Sequence, residues 1–228
     1  MVEYDNIADM FARLEASAVS YVVLRNFDNL LEDSIYMAGH GDIDMLCADM
    51  KQTVDAIGAK PSNPEFGEYG DGTHFYIVYK GKKVSVDVRS VGDGYYCESW
   101  EKNILATRVL HKCFYVMNEE NHLYSLIYHA IFQKPSLSDE YQQRLSDMIG
   151  RDSSESELID CLEDYMKKNG YNYVYANDFR VPLRQCMHDR TLCCYSFSER
   201  WPHFKYDTKL KTIDFLVKLK HKIFGDPR

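Results

Sequence analysis

The sequence predicts an α+β protein: a small mixed β-sheet with flanking helices over residues 1–117, then a mainly helical region over 118–228. Three observations carry that prediction. Short apolar runs alternate with helical periods through the first half. A hairpin signal stands at residues 74–88. From Asn118 the character changes to apolar residues at helical spacing.

The elements follow in order. Ile7, Met10, Phe11, Leu14 and Ala18 lie at helical spacing, with Asp5 or Asn6 available as a cap. Tyr21–Leu24 reads as a short buried strand, and 26–40 as a polar connection with one helical turn around Leu30 and Leu31. Ile43–Cys47 is the second strand, and Asp49 caps a helix over 50–58 that Gly58 stops. His74–Tyr79 and Lys83–Val88 form the hairpin around Lys80-Gly81-Lys82. A turn at Gly92-Asp93-Gly94, a helix over 98–109 and an extended segment at 113–117 complete the first half. Asn118 caps a helix with the apolar stripe Leu123, Leu126, Ile127, Ala130 and Ile131. Helices over 138–149, 155–168 and 208–223 are predicted after it, while 171–206 has no steady period.

Composition excludes some functions. With 45% hydrophobic residues, 18 Tyr and 11 Phe, the chain can bury a sizeable core, so disorder is not the reading. A net charge of -8 argues against a general nucleic-acid binder, because phosphate backbones are held by an excess of Lys and Arg. The seven cysteines include no Cys-x-x-Cys pair and read as reduced thiols. No signal peptide and no spanning segment are expected, which points to a cytoplasmic protein. Trp100 and Trp201 read as core.

Gly41-Asp42-Ile43-Asp44 is the most informative tetrapeptide. Residues two apart on a strand share a face, so Asp42 and Asp44 project together while Ile43 points into the core. Two carboxylates side by side repel unless a cation sits between them, and a hard divalent ion takes oxygen ligands together with phosphate oxygens. Gly41 permits close approach of the backbone to such a substrate. On the hairpin, Asp87 stands between Val86 and Val88, where an unpartnered carboxylate would be costly. If its strand lies beside that of Asp42 and Asp44, the three acids converge for metal-assisted phosphoryl chemistry.

Tyr21–Asn26, Gly41–Leu46 and Val86–Val88 together resemble the nucleotidyltransferase superfamily with its polymerase-beta-like minimal core. They are most similar to a bacterial group of uncharacterised nucleotidyltransferase-like proteins, whose later helix also fits Asn118 to Ala130. The resemblance implies transfer of a nucleoside monophosphate, or a related phosphorus group, from a nucleotide such as ATP to a hydroxyl of a small-molecule acceptor. It implies Mg²⁺ or Mn²⁺ held by Asp42, Asp44 and Asp87, with Asp87 as ligand or general base. Arg25, Asn26, Gly41 and Arg89 would contact donor phosphates. The superfamily's turn usually carries Gly-Ser or Gly-Gly, whereas this chain has Arg25-Asn26, which can offer a guanidinium fork and an amide instead.

Two rivals stand beside this reading. One is a glycosyltransferase holding a nucleotide sugar through Asp-x-Asp; the other is a non-catalytic module of the same fold. On this view Asp44→Asn abolishes activity and leaves melting temperature unchanged or raised, since it relieves repulsion. His129 reads as a helix-packing histidine, and His40 as a loop residue next to the metal strand. Lys209, Lys211, Lys218, Lys220 and Lys222 read as the solvated face of a packed helix, with an anionic membrane surface or an acidic partner as the other reading.

Overall fold

The computed structural model describes residues 2–37, 41–134 and 136–174, together with helical residues between 208 and 223. It is α+β, with a mixed sheet covered by helices on both faces. His40, Cys186, Cys193, Cys194 and Trp201 lie outside the described residues.

The chain runs through β1 (Glu3–Tyr4), α1 (Ile7–Ala16), β2 (Tyr21–Val23), α2 (Asp33–Met37), β3 (Asp42–Cys47), α3 (Met50–Ile57) and β4 (Lys60–Pro61). Then come β5 (His74–Tyr79), β6 (Lys82–Ser90), α4 (Glu98–Ala106), β7 (Val109–His111) and β8 (Phe114–Val116). Three helices follow, α5 (Glu119–Phe132), α6 (Asp139–Ile149) and α7 (Glu155–Asn169). The sheet order is β1-β5-β6-β3-β2-β8-β7, with β4 also paired to β5.

Local chemistry accounts for most boundaries. Asn6 caps α1 by accepting from the Ala8 N–H at 3.0 Å, and Ile7, Met10, Phe11 and Leu14 bury its apolar stripe. Asp49 caps α3 and Gly58 ends it in the left-handed conformation. Ser154 and Glu157 form a reciprocal capping box at the start of α7. The β5–β6 hairpin turns on Lys80 (φ 47°) and Gly81 (φ 74°), two left-handed residues whose twist matches that of the strands.

Side-chain alternation splits the core in two. Tyr21, Val23, Ile43, Met45 and Val86 pack with α1 and α3 on one face. Val22, Leu24 and Leu46 pack on the other with Trp100 of α4, Ile127 of α5 and Leu162 of α7. Asp42 and Asp44 share parity with Leu46, so they stand on the second face.

The structure differs from the sequence reading in places. The helical turn near Leu30 falls instead on Asp33–Met37, while Leu30 itself is buried. The helix over 98–109 ends at Ala106, where the Thr107 hydroxyl donates to the Asn103 carbonyl at 2.8 Å. Val109–His111 is a strand that pairs antiparallel with β8. The short strands β1 and β4 have no sequence signal of their own and owe their pairing to β5. Cys47, Cys97, Cys113 and Cys161 are free thiols. No helix among the described residues is long and apolar enough to cross a membrane.

Candidate active site

β3 and β6 run parallel, in a register that sets Asp42 opposite Ser85, Asp44 opposite Asp87 and Leu46 opposite Arg89. Directly paired residues share a face, so the three carboxylates expected to converge stand together. They border a cavity of about 250 Å³ with Arg25, Asn26 and Arg89. His74, Tyr95, His129, Gln133 and Lys134 line its other sides. Gly41 borders an adjoining cavity of about 280 Å³, where Asn26, Asp42 and Arg144 also stand.

Arg25 forms an ion pair with one of the acids. Its Nη2 lies 2.9 Å and its Nε 3.2 Å from Oδ2 of Asp44, with both side chains only 10% exposed. Its Nη1 donates to the Tyr95 hydroxyl at 2.7 Å. That hydroxyl lies 3.2 Å from Nδ1 of His129, which is 3.0 Å from Oε1 of Gln133. Gln133 closes the ring by donating from Nε2 to the Tyr95 carbonyl at 2.9 Å. Arg89 is buried, with its guanidinium 4.4 Å from the centre of the Tyr95 ring. His129 therefore packs its helix, as expected, but it does so inside the site. Burial, and then the nearby Arg25 charge, push its pKa well down, so it is neutral at neutral pH.

The pKa of Asp42 is raised by burial of its carboxyl and by the charge of Asp44. Asp87 is raised by burial, while His74 pulls the other way and Asp44 adds to the rise. Both acids would gain from a cation. Carboxylate oxygens are also the donor type that Mg²⁺ takes. Yet among the described residues no group of three His, Cys, Asp or Glu side chains is arranged to hold a metal ion.

Two expectations change in detail. An Asp44→Asn exchange would not relieve repulsion alone, since Asp44 is the partner of a nearly buried guanidinium. Gly41 has a nearer reason than substrate approach: a Cβ there would lie 2.4 Å from Cδ1 of Tyr36. Asn26 sits in the left-handed region (φ 56°), which Asn tolerates better than most residues. Its Oδ1 accepts from Arg144 Nη1 at 2.9 Å, which ties α6 to the turn after β2.

Sequence reasoning missed a built histidine. Asp71 Oδ2 lies 2.8 Å from His74 Nδ1 and accepts from Asn63 Nδ2 at 3.1 Å. Its Oδ1 accepts from the N–H groups of Thr73 (3.1 Å) and His74 (2.9 Å). Burial opposes the Asp71 charge, but the His74 ring and these N–H groups outweigh it and lower the pKa. The other ring nitrogen, Nε2, lies 3.9 Å from Asp87 Oδ2. The signal was present, because counting back from the Lys80-Gly81 turn sets His74 opposite Asp87. Tyr95 and Gln133 had no such signal.

Beyond Asn26 and Arg144 opens a larger cavity of about 890 Å³ between Phe27, β7, the start of α5 and α6. His111 and His122 line it, and their buried Nε2 atoms meet no hydrogen-bond partner among the described residues.

No protein-family model matches the chain, and no curated protein and no solved structure matches it either. None of these comparisons identifies a nucleotidyltransferase.

Proposed function

We propose that the chain is a metal-dependent nucleotidyltransferase that passes a nucleoside monophosphate, or a related phosphorus group, to a hydroxyl of a small molecule. The observation that supports this most is the register of β3 on β6, which puts Asp42, Asp44 and Asp87 on one sheet face beside two arginines. Asp42, Asp44 and Asp87 would hold Mg²⁺ or Mn²⁺, which when bound offsets phosphate charge and makes the attacking hydroxyl more acidic. Arg25 pairs with Asp44 and holds it in place, and Arg89 and Arg144 supply positive charge toward donor phosphates. The Tyr95–His129–Gln133 ring fixes Arg25 from behind. Asp71 holds the ring of His74 so that its second nitrogen faces Asp87, and the pair orients Asp87 for receipt of the hydroxyl proton. The larger cavity suits an acceptor, within the range of small-molecule pockets.

One observation favours a second reading, a module of this fold that binds without catalysis: Arg25 already occupies Oδ2 of Asp44. Isothermal titration of the full chain with Mg²⁺ and each nucleoside triphosphate separates the two. The enzyme reading expects nucleotide binding that requires metal and is lost in Asp42→Asn and Asp87→Asn. Absence of any metal-dependent binding would sink it and leave the module.

A further inference from the structure

The helical residues between 208 and 223 carry a pattern that the site does not use. At about 100° per residue, Phe215, Leu216, Leu219 and Ile223 fall within an arc of roughly 100°. Lys211, Lys218 and Lys222 flank one edge of that arc, and Lys209 and Lys220 flank the other. Asp214 is the one acidic residue from Thr208 to Ile223. Ile213, which lies outside that arc, is partly buried. The apolar stripe in the arc is exposed: Phe215 62%, Leu216 54%, Leu219 41% and Ile223 62%. The five lysines are exposed as well.

This differs from the solvated lysine face of a packed helix. A solvated face has no reason to carry four large apolar side chains, each removed from water at a gain of about 1.5–3 kcal/mol when buried. A protein partner of opposite charge would meet apolar surface bordered on both sides by lysine. A lipid surface matches that order of chemistry: apolar chains dip between acyl tails while lysine stems run outward to anionic headgroups. With a net charge of -8 on the whole chain, adsorption depends on this local reversal of sign. No described helix can span the bilayer, so attachment would be peripheral.

We propose that this helix docks the protein on an anionic membrane surface, with Phe215, Leu216, Leu219 and Ile223 inserted at the headgroup boundary and the lysines paired to acidic lipids. The proposal is independent of the chemistry assigned to the carboxylate site.

The test is co-sedimentation of the full chain with phosphatidylcholine vesicles, with and without phosphatidylglycerol, at low and high salt. Binding is expected only with phosphatidylglycerol and weaker at high salt. Lys218→Gln/Lys220→Gln/Lys222→Gln should lower partitioning about a hundred-fold. Phe215→Ser/Leu219→Ser, which leaves charge untouched, should lower it by a similar factor through lost insertion. Circular dichroism and melting temperature of both variants should equal those of the parent. No binding to the anionic vesicles overturns the proposal. So does binding that the serine pair leaves intact, which would be plain electrostatics. Sedimentation velocity without lipid supplies the third arm: self-association abolished by the serine pair would assign the stripe to a second copy instead.

Discussion

At the level of single residues, the three aspartates share a face but not an environment. Asp44 is held by a guanidinium, whereas Asp42 and Asp87 have raised pKa values because burial and like charge oppose ionisation. The carboxamide exchanges should therefore part company. Asp44→Asn leaves Arg25 without its counter-charge and should cost about 3 kcal/mol. Asp42→Asn and Asp87→Asn remove a group whose ionisation the fold disfavours, so stability should hold or rise. The sign follows from linkage: a raised carboxyl pKa contributes stability below the unfolded value and loses it as pH rises through the folded one. Thermal melts of the three variants at neutral pH check the split, and equal melting temperatures would refute it. All three should abolish metal-dependent nucleotide binding. His74→Ala should depress turnover with little effect on nucleotide affinity, because His74 acts through Asp87. An equal loss in Asp71→Asn would support the pair as one unit, whereas an Asp71→Asn enzyme of full activity would dissolve it.

At the level of elements, the segment between β6 and α4 decides whether the site stays assembled. It carries Tyr95, on which Arg25, Arg89 and Gln133 all depend. Glu101, fully buried in α4, accepts from the N–H groups of Gly92 at 2.7 Å and Tyr96 at 3.0 Å and so staples that segment down. Burial drives its pKa up to about 8, although the two N–H groups oppose the rise. A raised value means that its contribution is full below the ordinary carboxyl range, near pH 4.5, and falls as pH rises toward about 8. Denaturation of Glu101→Gln at pH 5 and pH 8 should show a smaller loss of stability across that window than the parent. An unchanged slope would refute the assignment. The same staple predicts that Glu101→Ala loosens Tyr95 and weakens nucleotide binding without touching any carboxylate of the site.

At the level of the whole molecule, a metal ion on the sheet face should stabilise the fold by mass action. Mg²⁺ at about 100 times its dissociation constant adds about 2.7 kcal/mol. The melting temperature should therefore climb with Mg²⁺ in the parent and stay flat in Asp42→Asn/Asp87→Asn. A rise in both would place the ion elsewhere. The larger cavity and the carboxylate site meet at Asn26 and Arg144, where α6 touches the turn after β2. Exchange of Arg144 for methionine should for that reason weaken donor and acceptor binding together.

What the sequence determined alone is what depends on near neighbours. Strand parity put Asp42 with Asp44, the caps Asp49 and Asn118 set their helices, and Lys80-Gly81 set the hairpin, because each rests on contacts a few residues apart. The choice of Asn6 over Asp5 as the first cap came from the structure. The boundaries that failed, at Asp33–Met37 and Val109–His111, were decided by what the segment packs or pairs with. The pairing of β3 with β6 was stated only as a condition. The tertiary structure settled it, since parallel strands join residues whose spacing carries no periodic signal. It alone set Arg25 on Asp44 and Tyr95 behind Arg25, and left the apolar stripe of the last helix exposed, because burial is a property of the packed chain. Hairpin arithmetic could have found His74, but the four hydrogen bonds that make Asp71 its anchor needed the loop folded back upon itself.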